Sequence, residues 1–520
     1  MLIVLPSFLQ KMICYTPVLS LEQLDSPESL ISSRRPLAYA MAFVASTHSP
    51  GYTSTRLALL PYMLKMLQQP HDVMDNSQKE NWTLLQALAV LYAYPRVAAV
   101  SKQDGEKQMS PWAVKSAVET CAMQISLHQS VEDLKVLIKS REPDILSSLP
   151  YRRTFFWLWL FVKSRHHSIL TRTPPTMPYD QTIASTLDLI PNLGPPPGVW
   201  RVLAEAALHH KWDQAARFDK SLAEWWCVPP DTIDGGTLSE LLENVENLLQ
   251  EWHSDWLPPT EISSPSRSSV ASNFQDPSIF ANSITTFMGI LTRFHIVSFA
   301  APIISHQLVT KTGLAIFPSM TAQSPELSAF LNCVLKSADA AATCCDSILD
   351  LKPVAREQLR YMPDYGFTML ALCCLHLVYA SNISPDNSTL RSYLMKAERV
   401  ASLMMDLCVG CNVCPKIYGE YVSFQLREAT RISTLTLDNC NEDQIMADSQ
   451  RLSVRGHEDS RSWPQLWPTD SNYPPLDYLL DIGPMNGNWP AMELNSDGAL
   501  PLNVELFNMF NTYSASPAGA

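Results

Sequence analysis

Residues 151–178 read YRRTFFWLWLFVKSRHHSILTRTPPTMP, and this stretch decides the fold. Eight consecutive apolar residues, Phe155 to Val162, stand between the pair Arg152–Arg153 and a second basic group of Lys163, Arg165, His166 and His167. At helical spacing such a run is apolar on every side, so it cannot lie on a surface; it predicts a helix buried inside a larger helical body. Pro150 just before Tyr151 suits a first helical turn, and Pro174–Pro175 forbid continuation.

Outward from this helix the pattern stays helical. Periodic segments are expected at Pro61–Gln69 (with Pro61 at its start), Asn81–Tyr94, Ala113–Leu127, Thr237–Trp252, Pro325–Leu349, Tyr365–Tyr379 and Thr389–Cys408. Strand-like alternation is absent over any useful length, and no repeat of 20–50 residues is evident. The reading is an all-α, multi-helix domain in two halves, 1–256 and 279–431, that pack as one body. Between them lies a Ser/Pro-rich loop or linker, 257–278. The apolar start, MLIVLPSFLQKM, lacks a charged leader and a small-residue cleavage site, and is expected to be a first packing helix.

Composition narrows the function classes. A net charge of −13 argues against a general polyanion-binding surface, because phosphate contacts need concentrated Lys and Arg. Only 16 glycines occur in 520 residues, and none forms a GxGxxG or GxxxxGK phosphate cradle. The longest apolar stretch, around Met369–Ala380, is interrupted by His376 and is short of the roughly 20 residues of a spanning helix, so no membrane segment is expected. Twelve cysteines without a leader imply reduced thiols in an intracellular compartment.

The last section, 432–520, differs in kind. From Ser462 onward it contains no Lys or Arg, while Asp470, Asp477, Asp481, Glu493, Asp497 and Glu505 are interspersed with Trp, Tyr and Phe. Frequent Pro and Asn work against a packed core, so a largely disordered acidic tail is expected. Within it PLDYLLDI (475–482) and LNVELFNMF (502–510) carry apolar residues at helical spacing; Leu479, Leu480, Phe507 and Phe510 are the residues that would dock on a partner groove. Acidic and hydrophobic residues mixed in this way are the compositional signature of an activation domain; the alternative is a tail packed back on the helical body.

The helical segments also resemble a known family. Arg152, Arg153, Trp157, Arg165, Ser168, Arg172 and Pro174 fall in the pattern of the regulatory middle homology region of fungal binuclear zinc-cluster transcription factors. Ser164 stands where that pattern has an acid, and Thr171 where it has Gly. LLQALAVLYAY (84–94) looks like the family's Gln-Ala-Leu helix, and SPWAVKSAVETCAMQISLH (110–128) like the next one. KSADAAATCCDSILDL and LRYMPDYGFTML, within 336–372, resemble its C-terminal half. The similarity runs in order over roughly 40–410.

This resemblance implies a nuclear, pathway-specific transcriptional regulator, for nutrients or secondary metabolites, with coactivators or other transcription proteins as partners and homo- or heterodimers as assemblies. The family's six-cysteine DNA-binding module is not found, since residues 1–110 hold only Cys14. DNA contact is therefore expected only indirectly, or through a module missing before Met1. A helical scaffold or adaptor is the alternative.

Other residue clusters offer further candidate sites. Cys408, Cys411 and Cys414, in CVGCNVC, have spacing that could reach a zinc ion or an iron–sulfur cluster with a fourth ligand such as Cys440. The same spacing on a helix gives small core residues, which is the favoured reading, and no metal or other cofactor is expected. Cys344–Cys345 and Cys373–Cys374 read as packing residues. His166–His167 and His209–His210 lack the carboxylate of HExxH and read as helix-end or surface histidines. No nucleophile elbow and no Asp-Asp-x-x-Asp run occurs, so no enzymatic chemistry is expected. Arg165, near the end of the buried helix, would complement its dipole. An arginine of the set Arg152, Arg153, Arg165 and Arg172 could instead hold a carboxylate effector.

Overall fold

The computed structural model describes residues 3–19, 26–68, 78–94, 109–171, 173–217, 235–256, 325–383, 388–409 and 414–430. The 257–278 linker, Arg172, Cys411 and the whole of 432–520 lie outside the described residues.

Sixteen α-helices and short 3-10 turns make up this part, and no β-strand forms among the described residues. In chain order the first helices are α1 (Leu5–Lys11), α2 (Pro27–Ser33), α3 (Arg35–Thr47), α4 (Thr53–Gln68) and α5 (Gln78–Ala93). They are followed by α6 (Pro111–Gln124), α7 (Ser130–Ser140), α8 (Leu149–Thr171), α9 (Gln181–Leu189), α10 (Pro197–Ala215) and α11 (Gly235–Trp256). The C-terminal half comprises α12 (Pro325–Leu349), α13 (Pro353–Gln358), α14 (Asp364–Ile383) and α15 (Ser388–Asp406), then α16 over 414–430. None of the described helices is long and apolar enough to cross a membrane. The all-α expectation holds.

Helix α8 is the axis of the N-terminal half. Residues 155–162 are all buried, with Phe156, Leu158, Leu160 and Phe161 at 0% exposure. Helices α7 and α10 pack on it directly, as do α6 and α9. Trp159 meets Phe156 at 5.7 Å and Tyr92 of α5 at 6.3 Å, both edge-on, a geometry that suits the ring quadrupoles. Pro150 lies in the first turn, as its missing N–H requires. At the other end the Ser168 hydroxyl donates to the Thr173 carbonyl, and the Ser164 and Thr176 hydroxyls are bonded at 2.8 Å. Thr176 in turn donates to Glu119 of α6 at 2.9 Å, which ties the exit of α8 to its neighbour.

A second layer, α3 against α4 and α5, closes over this core; α3 presents Leu37, Ala38 and Ala40 through Ala45 fully buried. The start of the chain does form a packing helix, with Leu5 and Phe8 at 0% exposure. One helix differs from expectation. Pro61 is not the first residue of a helix but sits in the middle of α4, which begins at Thr53. Leu59, Leu60, Met63 and Met66 are buried on both sides of the proline, so tertiary packing outweighs the single backbone hydrogen bond lost there.

In the C-terminal half α12, α14 and α15 pack against one another, α14 and α15 most extensively. Cys344, Cys345, Cys373 and Cys374 are fully buried where α12 meets α14, as packing residues should be. Helix α16 docks on α15 through Gly419: a Cβ there would come within 2.5 Å of the Ala401 carbonyl oxygen. Gly419→Ala should therefore force the two helices apart and destabilise the protein by about 1–3 kcal/mol, measured by chemical denaturation. A neutral effect would contradict the close approach.

The halves share one contiguous hydrophobic core. Polar contacts also cross between them. Lys11 Nζ donates to the Tyr361 hydroxyl at 2.8 Å, Tyr15 donates to the Gln358 carbonyl at 2.9 Å, and Tyr94 donates to the Tyr361 carbonyl at 3.0 Å.

Candidate functional site

The basic end of the deciding stretch does not reach the surface. Because α8 runs on to Thr171, Lys163 and His166 lie within the helix, one turn apart and on one face. Helix α10 faces them with Arg201, Glu205 and His209, spaced four residues apart and hence also on one face. From the C-terminal half α14 contributes Tyr365, whose ring stacks on His166 at 4.0 Å and 6°. Arg201, Glu205, His166 and His209 are all below 8% exposed, so this polar group is interior.

Its geometry is loose in an instructive way. Arg201 Nε lies 3.5 Å from Glu205 Oε1, and His166 Nε2 3.7 Å from Glu205 Oε2. Neither nitrogen completes a hydrogen bond, and His166 Nδ1 has no acceptor. Lys163 Nζ lies 5.9 Å from the Trp159 ring, and no described residue accepts a hydrogen bond from it. Lys163 and Tyr365 are half-buried at the edge of this group.

Electrostatics follow from this enclosure. Burial pushes the Lys163 ammonium down to about 8; Glu205 opposes that fall, and Arg201 adds to it. Burial, with the cations Lys163 and Arg201 nearby, holds His166 well below its usual range and therefore neutral. Burial raises the Glu205 carboxyl, and Arg201 and Lys163 pull it back.

Cys14, in the 3-10 turn after α1, is exposed, and its thiol donates to the Lys11 carbonyl at 3.8 Å.

The expected candidates fall elsewhere. Arg165 does not complement a helix end, because α8 continues for six more residues; instead its guanidinium grips Asp213 of α10 with two bonds of 3.1 and 2.8 Å. That commitment leaves it unfit to hold a carboxylate effector. Arg153 donates to the Ile125 carbonyl and lines an open cleft of about 320 Å³ with Ser126, Gln129, Ser130, Glu132 and Asp133. Arg152 is half-buried beside it in the first turns of α8. Trp157 packs at 5.8 Å from His128 as a core residue.

Cys408 follows the end of α15 and Cys414 begins α16, both half-buried, so the two flank a connection rather than share one helix face. No group of three or more His, Cys, Asp and Glu among the described residues is arranged to hold a metal ion.

His166, His167 and His209 are buried, not surface or helix-end residues as the sequence suggested. What hid the site was the apparent polarity of α10. Its Arg-x3-Glu-x3-His stripe looks like a solvent face, whereas it turns toward α8. The usable signal was Lys163 and His166 directly following eight apolar residues on a helix too long to end there.

Comparison with known proteins returned no match, whether to family models, to curated proteins or to solved structures.

Proposed function

We propose that this chain is a transcriptional regulator of the fungal type, specific to one pathway, for example a secondary-metabolite gene cluster. It acts in the nucleus through a helical regulatory domain and the acidic tail 462–520, whose apolar residues dock on a coactivator. The observation that carries this reading is the ordered resemblance of segments 84–94, 110–128, 151–178 and 336–372 to the middle homology region. Supporting it, those segments supply residues of α5, α6, α8, α12 and α14, which belong to one core.

The test is to fuse residues 462–520 to an unrelated DNA-binding domain beside a reporter. Activation is expected, because the acids keep exposed Leu, Trp and Phe in water until a groove buries them. Changing Leu479, Leu480, Phe507 and Phe510 together to Ala should abolish the signal, whereas Asp477→Asn with Asp481→Asn should only reduce it. A fusion that is nuclear, abundant and silent would favour a helical scaffold without a transcriptional role.

A further inference from the structure

We infer that the open cleft between the starts of α7 and α8 is a binding site for a small zwitterion, a free amino acid with a neutral polar side chain. The cleft holds about 320 Å³, at the lower end of the range of small-molecule sites. All the residues that line it are polar or charged. An apolar guest would strip water from these groups and pair with none of them.

Exposure sorts the lining into a floor and a rim. Ser130 is 2% exposed and Arg153 half-buried, whereas Ser126, Gln129, Glu132 and Asp133 are exposed. The floor holds donors in want of an acceptor. The Ser130 hydroxyl has no hydrogen-bond partner; Arg153 gives Nη2 to the Ile125 carbonyl, and its Nε donates to nothing. An enclosed donor left unpaired is costly, and a guanidinium matches the two oxygens of a carboxylate. Arg165, by contrast, is already committed to Asp213, so Arg153 is the better placed of the two to take a carboxylate.

The rim carries the opposite charge. Glu132 is held by Lys135 at 2.7 Å, but Asp133 has no ion-pair partner among the described residues. Inorganic phosphate would meet both rim carboxylates, and a simple amine would leave the floor donors unpaired. A molecule with an ammonium and a carboxylate on one carbon serves both levels at once. Ser126 and Gln129 add a hydroxyl and an amide to the rim, partners for a neutral polar side chain.

The probes are L-glutamine and the smaller L-serine, each added to the full chain in thermal melts at constant ionic strength. Glutamine should raise the Tm in a saturable way. N-acetyl-L-glutamine, which lacks the cation, and L-glutaminamide, which lacks the carboxylate, should each bind at least about tenfold more weakly. Asp133→Asn, and separately Ser130→Ala, should weaken glutamine binding about fivefold or more, while Lys139→Gln at the exposed far end of α7 should leave it unchanged. Arg153→Gln should abolish binding; if it fails to fold, the other two variants decide, since neither removes a contact that Ser130 or Asp133 side chains make within the described residues. Absence of a saturable shift with both amino acids overturns the site, as does a shift undiminished in Asp133→Asn and Ser130→Ala. An analogue with a single charge that binds as tightly as glutamine overturns the zwitterion. Binding is measured on the chain alone, so it stands or fails apart from the proposed function.

Discussion

Trp159→Ala should destabilise this protein by about 3–5 kcal/mol, and Leu160→Ala by about 2–5 kcal/mol, as the largest truncations of a packed core do. Both side chains are essentially inaccessible in the middle of α8, and α5, α6, α7, α9 and α10 all have surfaces near that helix. Collapse around the lost indole is hindered because Phe156 and Tyr92 hold their places through other contacts: Phe156 also meets Trp82 at 5.4 Å, and Tyr92 donates to the Lys163 carbonyl at 3.2 Å. Trp157, at 8% exposure and nearer the rim, should cost less than Trp159. Val136→Ala, at a position 63% exposed, should change stability by under about 0.5 kcal/mol. Denaturant midpoints at unchanged slope would measure these differences. Equal midpoints for the core and surface variants would refute the central place given to α8.

The second large effect is acid sensitivity. Burial lowers His48 and His167 to about 4 and His376 to about 3, so all three fold as neutral rings. In the unfolded chain they take up protons near pH 6.5. Between that value and the folded ones the unfolded state binds more protons, so stability rises with pH across the window. The contribution is complete above about pH 6.5 and is lost as pH falls towards 4 and then 3. At pH 5 each histidine costs about 2 kcal/mol.

His166, also lowered, adds to this loss, whereas the raised carboxyls Glu205 and Asp213 oppose it. The net effect from pH 7 to pH 5 should be a fall on the order of 4–6 kcal/mol, a large share of the 5–15 kcal/mol typical of folded proteins. Urea titrations at the two pH values would measure it, and His376→Gln should flatten the slope. A stability independent of pH over this range would mean that the histidines are not buried as neutral groups.

How far the sequence could be read follows from what each signal measures. The 155–162 run was legible as a buried helix because no surface position tolerates eight apolar residues in succession. The helix start at Pro325 was equally readable, since a proline nitrogen has no hydrogen to donate. Pro61 shows the limit of that rule: apolar residues on both sides of it override the local preference. The histidine pairs were read as helix-end or surface residues, and for His166, His167 and His209 that reading failed. Arg201, Glu205 and His209 are individually ordinary, and only the packing of α10 on α8 brings them face to face. Arg165 was singled out, but its contact is with Asp213, forty-eight residues away.

The proposed function has the helical body regulate transcription through its acidic tail. It is tested most directly by tethering the full chain, and the chain cut after residue 431, to the same unrelated DNA-binding domain and measuring reporter transcripts. The expected result is activation by the full chain and loss of activation without 432–520, with both proteins equally abundant and nuclear. Equal output from the two, or silence from both, would contradict the claim.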